Sequence, residues 1–251
     1  MRILIGLLFL LAAAAEAQTV AVDVGHFFGK PGAISARGRI EFEFNRDLAI
    51  EIGLALRRQG AGVMPIGADG GMVRLSARTV AATGADLFLS VHHDSVQPHY
   101  LEEWNYEGVP LLFSDRFAGF SLFVSRKNPH LARSVRCASA MGAALREAGF
   151  APSLYHAEPI PGESKPFADR ANGVHYYDNL IVLKTARSPA VLLEAGVIVN
   201  RGEEAKLLAA ETHRGIAAAV AQGLERCLAN SSSRVRQAGS SGSFQAFEIG
   251  R

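Results

Sequence analysis

Between Val20 and Val91 the chain switches four times between strand-like and helix-like patterns, and that alternation restricts the possible folds more than any other feature. Val20, Val22 and Val24 alternate with small or acidic residues, the mark of a short β-branched strand. Gly25, Gly29, Gly32, Gly38 and Pro31 then forbid regular structure until Arg39. Phe44, Leu48, Ile52 and Leu56 recur every four residues, as one helix face does, and Gly60 stops that helix. Residues 62–66 read as a second strand, 74–83 as a helix ended by Gly84, and 85–91 as a strongly apolar third strand. Such a β-α-β-α-β run implies crossover helices and parallel pairing. The expected fold is α/β, a mostly parallel central sheet with helices on both faces. At 251 residues, 49% of them hydrophobic and 20% charged, the chain suits one domain with a sizeable core.

The remainder is less regular. Residues 95–118 carry the only tryptophan, Trp104, and no sustained period, so a long loop is expected there. Residues 119–125 read as a strand. Asn128-Pro129 suits a helix start, and Leu131, Val135, Ala138, Gly142 and Leu145 continue that helix to Gly149. Residues 151–179 hold four prolines and read mostly as loop. Two further buried strands are expected at 180–183 and 190–193, then a long alanine-rich helix at 203–228. Ser, Gly and Arg dominate from Asn230, which predicts a disordered tail over 230–251 beyond a catalytic domain at 18–229.

The first residues have one positive charge, thirteen small or apolar residues from Ile3 to Ala15, and an Ala15-Glu16-Ala17 site, the pattern of a cleaved signal peptide over 1–17. As a helix that apolar run rises only about 20 Å against a hydrocarbon core of roughly 30 Å, which argues for export to the periplasm and against stable membrane insertion. Its removal takes Arg2 and Glu16 together, so the net charge stays at +2. A nearly neutral protein is not built to hold nucleic acid by charge. Cys137 and Cys227 fall in two predicted helices, where either a bridge or two separately buried thiols is consistent with the sequence.

Chain direction then assembles a candidate site. Ligands of an open parallel sheet bind outside the carboxyl ends of its strands. His26 follows the first strand, His92 ends the third, Glu194 follows residues 190–193, and Glu41 opens a helix leaving that same edge. Two histidines and a glutamate with an open fourth position form a catalytic zinc set, and a second, unligated glutamate can serve as base. Each residue also has a plainer role: His26 in a tight turn, Glu41 as a favourable charge at a helix start, Glu194 in a structural ion pair. Glu43 and His93 compete with Glu41 and His92, although successive strand residues face opposite ways, so only one of His92 and His93 enters the site.

The segments VAVDVGH, GRIEFEFN, ADLFLSVHHDS and SPAVLLEAGVIVN, in this order, resemble the four signature blocks of the zinc-dependent N-acetylmuramoyl-L-alanine amidases of the type 3 family, across residues 20–228. The resemblance implies an exported enzyme of peptidoglycan that cuts the amide between the lactyl group of muramic acid and the L-alanine of the stem peptide. It implies zinc (Zn) held by His26, Glu41 and His92, with Glu194 as the catalytic glutamate. The chain departs from the family at Gly196-Val197, at Val199-Asn200 and at Asp94, none of them a proposed ligand. The rival readings are a zinc peptidase or carboxypeptidase acting on stem peptides and a non-catalytic wall-binding protein. Trp104, Tyr106 and Tyr100 are candidates for a wall of the substrate groove, Trp104 equally for an anchor of its loop. Activator-dependent relatives carry a helical plug after the strand equivalent to 119–125. Here only Arg126, Lys127 and Asn128 are expected before the next helix, so a protein activator is not implied, while 95–118 or 151–179 could act as a lid.

Overall fold

The computed structural model describes residues 17–239, with side chains through Leu228; the expected signal peptide therefore lies almost wholly outside the described residues. The opening run is β1 (Thr19–Val24), α1 (Glu41–Arg58), β2 (Gly62–Ile66), α2 (Leu75–Ala81) and β3 (Leu87–Asp94), with β1 parallel to both β2 and β3. There follow β4 (Glu102–Tyr106), β5 (Val109–Phe113), β6 (Ser121–Val124), α3 (Leu131–Glu147), β7 (Phe167–Asp169) and β8 (Val174–Tyr176). The last elements are α4 (Ile181–Thr185), β9 (Ala190–Val197), α5 (Arg201–Leu207) and α6 (Ala210–Gly239). Among the described residues the main sheet has the order β2-β1-β3-β9-β6-β8-β7. Only the β6/β9 and β7/β8 pairs are antiparallel, so the mostly parallel α/β fold is as expected.

Strand alternation divides the sheet between two cores. Val20, Val22, Val24, Leu87, Leu89, Val91, Val191 and Leu193 face α1, α3 and α6. Ala21, Phe88, Phe123, Ala190 and Leu192 face the other way, beneath α2 and α4. These two helices have seven and five residues and cover only part of that face. Its carboxyl end stays open as a cleft of about 740 Å³, floored by Asp23, His92, Phe123, Leu192 and Glu194.

Several expectations need correction. Residues 181–185 form a helix, α4, where a strand is expected: Val182 and Leu183 are buried while Ile181 is exposed, so one helical side is covered rather than both faces of a strand. Within 95–118 lies the hairpin β4/β5, whose turn residues Glu107 and Gly108 both have positive φ, as a two-residue hairpin turn requires. Residues 151–179 supply β7 and β8, two strands of three residues each. The helix expected at 203–228 is two helices, the first capped by Asn200, whose side chain accepts from the N–H groups of Gly202 and Glu203. The second continues to Gly239, through the first ten residues of the expected tail, a stretch without Pro or Gly until its last residue; 240–251 lie outside the described residues. Cys137 on α3 and Cys227 on α6 form a disulfide, Cα to Cα 5.0 Å, at a sequence separation of 90. Among the described residues no helix is long and apolar enough to cross a membrane.

Candidate metal centre and cleft

His26 follows β1 by two residues with φ of +66°, Glu41 is the first residue of α1, and His92 lies within β3. Their donor atoms all fall within 4.8 Å of one another. The carboxylate sits between the rings, Glu41 Oε2 at 3.0 Å from His26 Nε2 and Oε1 at 3.2 Å from His92 Nδ1. Burial works to raise the Glu41 carboxyl, but hydrogen bonds from both imidazoles outweigh it and hold the group well below the ordinary carboxylate range. The charged form is therefore favoured, as a metal ligand requires. The donor set, two imidazole nitrogens and a carboxylate oxygen, is chemically of the kind that would hold zinc.

Two glycines make the arrangement possible. A Cβ on Gly25 would lie 2.3 Å from the His92 ring, and one on Gly32, where φ is +84°, would lie 2.2 Å from Glu41 Oε2. Asn45, one turn along α1, donates its amide to Glu41 Oε1 at 3.0 Å and accepts from His93 Nδ1 at 2.8 Å. His93 thus occupies the opposite face of β3 from His92, where burial lowers its pKa to about 3 and keeps the ring neutral. Glu43 points away to Arg39, 2.8 Å distant.

Glu194 is placed by sheet register. In the parallel β3/β9 pair it stands opposite His92, on the same face of the sheet, and its strand continues to Val197 rather than ending at Leu193. Its Oε2 is buried without a hydrogen-bond partner. Burial raises its pKa well above the usual range, and the charges of Asp94 and Glu41 push the same way. A buried carboxyl of this kind, facing a cleft beside the metal donors, suits proton transfer.

One wall of the cleft comes from 155–165. His156 bonds Asp94 Oδ2 through Nε2 at 2.7 Å and Glu163 Oε2 through Nδ1 at 2.8 Å, while Lys165 reaches the same Glu163 oxygen at 2.6 Å. Although burial disfavours its charge, the two carboxylates raise His156 to about 9, so it is an imidazolium at neutral pH. The main-chain N–H of Gln97 donates to Tyr155 Oη, and its side chain donates to Glu163 Oε1. The segment is therefore docked onto the chain just beyond β3. A histidine isolated in a proline-rich stretch gave no spacing signal that could have assigned it to this wall.

Trp104, Tyr106 and Tyr100 are not brought to this cleft. Trp104 stacks on Tyr106 at 5.3 Å, donates its indole N–H to Ala36 O at 2.9 Å and lies between Arg37 and Arg201. It ties the hairpin to the loop that precedes α1. Trp104→Ala is expected to cost about 2 kcal/mol and to lower Tm by about 4–8 °C, with KM unchanged. Thermal unfolding beside steady-state kinetics checks this; a raised KM at unchanged Tm would return Trp104 to the groove.

Comparison with known proteins agrees with the geometry. A family model described as N-acetylmuramoyl-L-alanine amidase matches residues 20–226. The fold is similar to that of an N-acetylmuramoyl-L-alanine amidase from Clostridium difficile 630, with TM-score 0.65 and 20% identity over 86% of this chain and 98% of that one. The catalytic domain of CwlV, an N-acetylmuramoyl-L-alanine amidase of Bacillus (Paenibacillus) polymyxa, gives TM-score 0.63 and 24% identity over 84% and 98%. Ami1, the N-acetylmuramyl-L-alanine amidase of Mycobacterium smegmatis, gives 0.66 and 20% over 85% and 97%. No curated protein matches the chain in sequence.

Proposed function

The chain belongs to the N-acetylmuramoyl-L-alanine amidase family, and from that premise we propose that it hydrolyses the lactyl–L-alanine amide of peptidoglycan with zinc held by His26, Glu41 and His92 and with Glu194 moving the proton. The observation that carries this reading is the meeting of those three donors beside the floor of the cleft, where Glu194 pairs in register with His92. Zinc bound there supplies Lewis-acid polarisation of a carbonyl oxygen and a water acidified to a pKa of about 7. Glu194, once ionised, is a strong base because its surroundings disfavour the anion. It takes a proton from the attacking water as the new C–O bond forms, then delivers it to the alanine nitrogen as the C–N bond breaks. Asn45 and His93 keep Glu41 aimed.

Peptidoglycan lies outside the cytoplasmic membrane, so the chain acts after export. We place it in the periplasm on the strength of the leader-like residues 1–17. The mature protein incubated with purified sacculi is expected to release intact stem peptides, identified by mass spectrometry of the soluble products. Shortened stems would make it a peptidase, and unaltered sacculi would refute the hydrolytic reading.

A further inference from the structure

Beneath the cleft, Arg78 of α2 is 1% exposed and reaches the turn that carries His26. Its Nη1 donates to Asp23 Oδ1 at 2.6 Å and to Val24 O. Its Nη2 donates to His26 O and, at 2.9 Å, to Met72 O. Asp23 is held from its other oxygen by Ser90 Oγ at 2.7 Å. One guanidinium thus joins the end of β1, the carbonyl of His26 and the loop before α2. His26 has φ of +66°, a left-handed conformation that a non-glycine residue keeps only when its surroundings hold it there. That conformation turns the His26 carbonyl onto Arg78 and leaves the imidazole facing Glu41.

We infer that Arg78 is the positioning residue of the metal centre: by holding the His26 carbonyl it maintains the left-handed turn that aims the His26 ring at Glu41 and His92. The inference rests on the zinc reading above and adds a residue that offers the metal no donor atom and acts through the main chain of His26. Lysine cannot substitute, because a single ammonium cannot span four acceptors that the two Nη atoms reach in a planar fork. An ion pair to Asp23 alone would survive in Arg78→Lys, so a purely structural role predicts a folded protein with unchanged metal binding.

The test is zinc affinity, measured by chelator competition on metal-free protein, for wild type, Arg78→Lys, Gly67→Ala and a core control, Val191→Ala. Gly67→Ala removes no hydrogen-bonding group; it puts a Cβ 2.8 Å from Arg78 Nη1 and, because φ at residue 67 is +68°, also strains the turn that packs on the guanidinium. Both Arg78→Lys and Gly67→Ala are expected to bind zinc roughly 10- to 100-fold more weakly, the usual cost of disturbing an outer-shell partner. Val191→Ala is expected to lower Tm and leave affinity at the wild-type value. In metal-free Arg78→Lys the amides of residues 25–30 are expected to exchange faster than in the control, a readout independent of zinc. Wild-type affinity in the two variants would overturn the role of Arg78; if Arg78→Lys fails to fold, Gly67→Ala decides. Absence of zinc binding by the wild type would instead sink the zinc reading, and the exchange rates would still test the turn.

Discussion

Glu194→Gln is expected to retain a full complement of zinc while kcat falls roughly 100- to 10,000-fold, the span that general acid and base catalysis commonly contributes. Glutamine keeps the size of the side chain and removes the group that takes and returns the proton. The Glu194 side chain has an oxygen with no partner in the folded protein, so the substitution breaks no structural hydrogen bond at that atom. Burial and the neighbouring charges of Asp94 and Glu41 disfavour the Glu194 anion. Replacing it by a neutral amide should therefore not destabilise the fold, and Tm is expected to hold or rise. Hydrolysis rate, metal content and thermal unfolding measured on the same preparation check the three parts together. Loss of zinc in Glu194→Gln would mean that the carboxylate is a ligand and that the base lies elsewhere.

His92→Ala is expected to behave in the opposite way, losing metal and activity together. Removing one of three donors takes away an inner ligand, and the cost in affinity should exceed the roughly 10- to 100-fold typical of an outer-shell partner. The variant also leaves Glu41 with one imidazole neighbour in place of two, so its carboxyl should become easier to protonate than in the parent, where both rings hold it down. Adding zinc in excess should restore little activity. Metal analysis after dialysis, with rates at several zinc concentrations, provides the check. A His92→Ala protein that keeps about one zinc per chain would remove His92 from the ligand set.

His26, Glu41 and His92 are legible because chain direction alone sends strand ends and helix starts to one edge of a parallel sheet. The separation of His92 from His93 is legible from strand alternation, and Asn45 and His93 do occupy the far side. The adjacency of His92 and Glu194 is not legible in the same way. It depends on β9 crossing more than ninety residues of intervening chain to lie next to β3, a pairing that no local pattern discloses. Short apolar runs mislead for a different reason: Leu180-Ile181-Val182-Leu183 is compatible with either period, and only the one-sided cover provided by the sheet selects a helix. Arg78 is invisible locally, since an arginine in a short amphipathic helix normally faces water, and its burial is decided by an aspartate fifty-five positions away.

The bond between Cys137 and Cys227 makes the strength of this fold depend on redox history. Closing a loop of this length removes disorder from the unfolded chain worth about 4–5 kcal/mol in the entropic account, against total stabilities of about 5–15 kcal/mol for domains in general. A chain retained among reducing thiols forgoes that contribution and joins α3 to α6 by packing alone, where the two helices approach closely enough that a Cβ on Gly223 would lie 2.5 Å from Met141 Cα. Once oxidised, the same two helices are covalently joined behind the sheet face opposite the cleft. The chain thus gains its full resistance to unfolding, and to the proteases that attack unfolded chains, only where oxidising conditions let that bond form.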